Sequence, residues 1–303
     1  MKKIKELFLK CKTGVFYNEQ DILLLVLRMI LIILLVLMND NAVLSILIPV
    51  IVVPGLLFKN VVLNKYFWLI LTIFGTVPYL IFDLHGYVPN HKHIFAYVIL
   101  AVFLMLFFSE KENSLNNLRF QAKYIIGLCF LFAVIGKFLA PEFLNGSFFE
   151  FTNTIDPRFY GLTSVMGEID MQLLKENATN MESLLNTSNV NYSFDLIGAD
   201  KIEDVGLITS YWTIFIEGMI AISFCLPSKF LLSKYRNIFL IAFILTTYPI
   251  ATVYGFAIVL ATMGFIQSTK RSLLTGYSLF YLLVFIGLPL IKIPFLRVFN
   301  IIF

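Results

Sequence analysis

Charge is scarce in this sequence: only 14% of its 303 residues are Asp, Glu, Lys or Arg, against about 25% in a soluble domain. Lipid requires that deficit, because an unpaired charge at the centre of a hydrocarbon core costs about 2.5–3.5 kcal/mol even on a lenient insertion scale. Cysteine and histidine are scarcer still, with three of each: Cys11, Cys129 and Cys225, and His85, His91 and His93. No two cysteines stand in a CxxC or a metal-ligand spacing, which argues against thiol–disulfide exchange and a cysteine-rich metal centre; no metal site is expected. Nothing resembling a P-loop, a glycine-rich nucleotide fingerprint or an HExxH zinc motif occurs either. The net charge of +4 therefore describes topology, and no nucleic-acid partner is expected.

What fills the chain is hydrocarbon: 59% of residues are apolar and the mean hydropathy is +0.86. Apolar runs fit for crossing about 30 Å of hydrocarbon lie near 21–38, 43–58, 67–84, 92–108, 123–140, 206–226, 237–251, 253–267 and 274–291. The expected fold is all-α: a polytopic membrane helical bundle of about nine transmembrane helices, partnered by the lipid bilayer. Tyr248, Pro249, Tyr254 and Gly255 mark either a hairpin turn or a kink in one irregular element, so the count is eight or nine.

Orientation follows from the cations. With the N-terminus inside, the inner segments hold fifteen of the twenty-three Lys and Arg residues, from Lys2, Lys3, Lys5, Lys10 and Lys12 through Lys59, Lys65, Lys111, Arg119 and Lys123 to Lys270 and Arg271. Four regions result: an amphipathic cytoplasmic segment at 1–20, transmembrane helices one to five at 21–140, an acidic outer loop at 141–204, and helices six to nine at 205–303. In 1–20, Ile4, Leu7, Phe8 and Cys11 share a helical face with lysines around it, as suits a helix lying on an anionic leaflet. It reads as retained, since no small-residue cleavage site follows. The outer loop carries eleven Asp or Glu against three Lys or Arg. Its stretch MQLLKENATNMESLL has the spacing of an amphipathic helix and is expected to cap the bundle. Asn145, Asn177, Asn186 and Asn191 each open a formal glycosylation sequon.

Ionisable groups at membrane depth need a reason to be there. Arg28 and Glu217 lie at similar depth in the first and sixth spans. They suit an ion pair between helices, serving either packing or a gate in a proton or substrate path. Lys137 lies three residues from the outer end of the fifth span. It either snorkels to the headgroups or, withdrawn from water, acts as a base or nucleophile. The outward loop DLHGYVPNHKHIF brings Asp83, His85, His91 and His93 to that same face, and Phe143, Phe148 and Phe149 supply apolar surface near Lys137. These seven residues outline a candidate pocket.

The run VIGKFLAPEFLNGSFFEF resembles a segment of the vitamin-K-dependent gamma-carboxylases and their bacterial relatives, the HTTM (horizontally transferred transmembrane domain) proteins. Lys137, Leu139, Glu142, Phe143 and Gly146 stand at the matching places. Asn90 and His91 in PNHKHIFAYVILAVFLML, Arg28 in the first span and Glu217 in WTIFIEGM are similar to further family positions, the last shared with DoxX-like redox membrane proteins. The resemblance spans roughly residues 20–265. It implies that Lys137 is a catalytic base assisted by His91, with a reduced quinone as cofactor, in the cell (inner) membrane of a bacterium. The chain carries no match to the large extramembrane domain that holds the carboxylases' peptide substrate, which argues against carboxylation itself. Its length and the NDN turn after the first span resemble shorter HTTM proteins that help mature secreted toxin peptides. The leading expectation is thus a membrane enzyme or maturation factor acting at the outer leaflet on a secreted peptide or with a quinone. Two alternatives stand beside it: a non-catalytic or transporter-like subunit with a membrane or periplasmic partner protein, and a DoxX-like quinone-linked redox subunit.

Overall fold

The computed structural model describes residues 18–37, 42–76, 90–186, 193–198, 201–251 and 253–292, and among these the secondary structure is entirely helical. A helix stands in each apolar run: α1 Glu19–Leu37, α2 Ala42–Leu57, α4 Lys65–Gly75 after the single turn α3 Lys59–Val62, α5 Asn90–Phe108, and α6 Ser114–Leu139. Three short helices follow, α7 Pro141–Leu144, α8 Ser147–Ile155 and α9 Tyr160–Met166, and then α10 Met171–Asn186. The chain continues through α11 Ile202–Cys225, the turn α12 Leu231–Lys234, α13 Arg236–Thr247, α14 Tyr254–Gln267 and α15 Arg271–Lys292. Four of these, α1, α5, α6 and α11, are long and apolar enough to cross a membrane, as in an integral membrane protein. The turn between α13 and α14 makes them separate helices: the amides of Ile250 and Ala251 both return to the Thr247 carbonyl, at 3.2 and 2.7 Å, and Pro249 has no N–H to continue the ladder.

The contacts divide the chain into two compact units, one comprising the described residues of 1–122 and 258–303, the other those of 123–257. In the first, α1 buries Val26, Leu27, Ile30, Leu31, Ile33 and Leu34, a broad stripe for one helix. Gly55 lets α2 approach so closely that a Cβ there would meet Leu31 Cδ1 at 2.8 Å and Phe67 Cζ at 2.5 Å. The buried Trp68 indole donates to the Val62 carbonyl at 2.7 Å, and the Tyr281 hydroxyl of α15 donates to the Met29 carbonyl at 3.1 Å.

The second unit is built on the antiparallel pair α6 and α11 and on the helical segment between them. Lys123 of α6 donates to the Leu226 carbonyl at 2.6 Å, satisfying the C-terminal end of α11. The segment expected as an outer cap is a folded layer with a core of its own: Tyr160, Ile169, Leu174 and Ile202 pack together, with Leu173 and Ala178 against them. The Tyr160 hydroxyl donates to the Leu174 carbonyl at 2.9 Å; burial, and secondarily the charge of Asp156, raise its pKa. At Asp156 burial acts upward too, but the hydrogen bonds and charge of Arg158 outweigh it and leave the carboxyl below its ordinary range.

The expected amphipathic helix over MQLLKENATNMESLL is α10. On it Asn177 is fully buried, its amide donating to the Ile197 carbonyl at 2.8 Å and its oxygen accepting from the Ile197 amide at 2.9 Å. This side chain is a clamp and has no room for a glycan. Asn177→Ala orphans both backbone groups, a loss of about 1–3 kcal/mol. The expected result is faster chymotrypsin cleavage at Phe194 with the membrane helices still protected. Asn191 lies outside the described residues.

Candidate functional site

Side chains on a helix lean toward its N-terminus, so a lysine near the C-terminal end of α6 is directed back along the helix. Glu217, fifteen residues into the oppositely running α11, leans toward it. The two meet at 2.6 Å between Nζ and Oε2, with side chains only 14% and 10% exposed. Lys137 therefore does not snorkel: within the second unit it is the ion-pair partner of Glu217, the place in which Arg28 was expected. Arg28 lies in the first unit, and its Nε is buried without a hydrogen-bond partner among the described residues.

The sequence after Lys137 folds the chain back over it. Ala140, ahead of Pro141, is extended at φ −103°, ψ 106°, as the residue before proline prefers, and this ends α6. Asn145 Oδ1 then accepts from the Ser147 amide and hydroxyl at 3.0 and 2.8 Å, and Gly146 turns with φ 83°, open to glycine at little cost. The turn carries Phe143 to within 5.4 Å of Nζ, measured to the ring centroid, a cation–π contact. Phe148 stacks on Phe143 at 4.2 Å, and Phe149 meets both rings edge-on at 5.2 and 5.7 Å. The three phenylalanines expected near the lysine do gather there as one aromatic cluster, with Phe143 against the ammonium.

This layer is held to α11 by close backbone approach. A Cβ on Gly206 would lie 2.8 Å from the Gly146 carbonyl oxygen and 2.9 Å from the Glu150 amide nitrogen. One turn further along α11, the Tyr211 hydroxyl donates to the Leu144 carbonyl at 3.2 Å.

Two further polar groups belong to this neighbourhood, and sequence alone assigns neither of them to it. Cys129 of α6 lies within electrostatic reach of Glu217 and Lys137, and Tyr248, beyond the end of α13, lies within reach of Glu217 and Cys129. The Trp212 indole, donating to Thr246 at 3.3 Å, and the T-shaped contact of Phe130 with Phe243 at 5.1 Å bring α13 against α11 and α6. The signal for Cys129 was its place about two helical turns before Lys137; Tyr248 had none, because its approach depends on tertiary packing.

The histidines are placed differently. His91 and His93 stand in the first turn of α5, in the first unit; Asp83 and His85 lie outside the described residues. Within the second unit the group at hydrogen-bond distance from Lys137 is the carboxylate of Glu217. Comparison of the chain with family models, with curated proteins and with solved structures finds no match.

Proposed function

We propose that the chain is an HTTM-like protein of the bacterial inner membrane, with about nine transmembrane helices, its N-terminus inside and the α7–α10 layer outside. Its working centre is the Lys137–Glu217 pair. It acts at the outer leaflet as a membrane-embedded enzyme or maturation factor, on a secreted peptide or with a reduced quinone, and Lys137 is the base.

The supporting observation is the 2.6 Å ion pair beside an aromatic cluster; in this reading the cluster serves as its lid. An ionised pair in an apolar setting is an expensive device for holding two helices together, since hydrophobic residues of similar volume commonly do as well or better; at membrane depth a function is the default reading. The pair also explains how a lysine can serve as a base. Passing one proton from Nζ to the carboxylate yields an amine beside a carboxylic acid with no change in net charge. The amine then takes a proton from the substrate, and Glu217 holds the displaced one. Phe143, Phe148 and Phe149 suit an apolar or aromatic reactant and keep water from the pair.

Lys137→Arg separates this role from a structural one. Arginine retains the ion pair, but its guanidinium does not deprotonate in proteins. Peptides secreted by cells expressing the wild type, by cells expressing the Arg variant and by cells lacking the protein are compared by mass spectrometry. A product present only with the wild type, at equal membrane levels of both proteins, is the expected result. The same product with the Arg variant, or no difference between wild type and absence, rejects the reading.

A further inference from the structure

The first unit contains a cavity of about 760 Å³ unrelated to the lysine–glutamate pair, a size typical of a small-ligand site. It opens where α1 begins, α5 ends, α6 begins and the α3–α4 junction turns. Leu23, Leu63, Leu106 and Leu115 make its apolar part, and Glu19, Lys65 and Glu112 bring charge to it.

The state of those three charges is informative. Glu19 is held by Arg119, whose Nη1 lies 3.2 Å from its carboxylate. Lys65 rests over the rings of Phe107 and Tyr66, at 4.7 and 5.4 Å, and has no carboxylate partner among the described residues. Glu112 likewise has no cationic partner there. A cation and an anion thus line one cavity together with four leucines and without pairing with each other, and with Glu19 neutralised by Arg119 their charges balance. A basic cluster would select an anionic lipid; this lining matches a ligand that carries both signs of charge together with hydrocarbon.

We infer that the cavity binds a phospholipid with a zwitterionic, ammonium-bearing headgroup, drawn from the leaflet at the N-terminal end of α1. The phosphate lies at Lys65, the ammonium donates to Glu112, and the upper part of an acyl chain covers the leucines. An ammonium with N–H donors makes charge-assisted hydrogen bonds to a carboxylate that a trimethylated one cannot make, so Glu112 distinguishes phosphatidylethanolamine from phosphatidylcholine.

Native mass spectrometry of the full chain in mild detergent tests this, with phosphatidylethanolamine, phosphatidylcholine and phosphatidylglycerol of identical acyl chains supplied in equal amounts. The expected result is preferential retention of phosphatidylethanolamine, on the order of tenfold over the other two, the ratio that one charge-assisted hydrogen bond supports. Glu112→Gln, at an exposed position, removes the preference over phosphatidylcholine. Lys65→Gln weakens both phosphatidylethanolamine and phosphatidylcholine, which share the phosphate. Glu110→Gln, two residues from Glu112 and outside the cavity lining, leaves the preference intact. Equal retention of the three lipids by the wild type, tighter binding of phosphatidylglycerol, or an undiminished preference in Glu112→Gln would each overturn the inference.

Discussion

Lys137→Met is expected to lower the thermal stability of the purified protein by about 3–5 kcal/mol, because it strands the Glu217 carboxylate in a site 10% exposed with no counter-charge. Glu217→Leu strands the ammonium and costs a similar amount. The double variant Lys137→Met/Glu217→Leu removes both ions together and recovers most of the loss, since two apolar side chains of similar volume satisfy the same space. Under the proposed function, activity does not return with stability, because the double variant lacks the lysine proposed as the base. The cycle also decides which cation belongs to Glu217. Arg28→Leu combined with Glu217→Leu is the comparison, expected to be additive within about 0.5 kcal/mol if Lys137 alone is the partner of Glu217. A coupling larger for Arg28 than for Lys137 would show that the α6–α11 contact is misassigned.

Why the lysine and the glutamate were each legible from sequence, and their pairing was not, has a physical explanation. Membrane cost singles out ionisable residues one at a time, whatever their neighbours, so Arg28, Lys137 and Glu217 all stood out. Depth counted from the ends of the apolar runs then matched Glu217 to Arg28. Such counting is blind to which helices touch and to the direction in which a side chain leans. Lys137 looked interfacial by position, but its lean along α6 returns it toward Glu217. The apolar runs located helices well, and α10 was visible as an amphipathic pattern. Helix ends were less accessible: α6 starts at Ser114 and not near 123, because Asn116, Asn117 and Arg119 extend the helix beyond its apolar part, where hydropathy gives no signal. The short helices α8 and α9 are not legible in the sequence because a helix of nine residues offers too few turns for a periodic pattern to declare itself. Asn177 read as a sequon because a sequon is defined without reference to burial.

Gly206→Ala is the second change expected to have a large effect, although it lies eleven residues, or about 16 Å along the helix, from Glu217. The three atoms nearest the added Cβ would all be backbone: the Gly146 carbonyl oxygen at 2.8 Å, the Glu150 amide nitrogen at 2.9 Å and the Glu150 Cα at 3.2 Å. Backbone cannot rotate aside as a flexible side chain does, so α8 must move off α11, at a cost of about 1–3 kcal/mol. Because Phe148 and Phe149 ride on α8 and stack with Phe143, that movement opens the lid over Lys137. Water then reaches the ion pair and screens it, and activity falls more steeply than stability. Gly136→Ala and Gly218→Ala are the controls. Each stands beside a member of the pair, yet a Cβ at either position meets nothing within 4 Å, and alanine favours a helix over glycine by about 0.5–1 kcal/mol. These two variants should be as active as the wild type and slightly more stable. Gly206→Ala should show a raised rate of proteolysis within α8–α10 and a loss of product exceeding its loss of folded protein. If Gly206→Ala instead loses product only in proportion to folded protein, the aromatic layer is packing and not a lid; if Gly218→Ala is as damaging as Gly206→Ala, proximity to Glu217 matters and the docking of α8 does not.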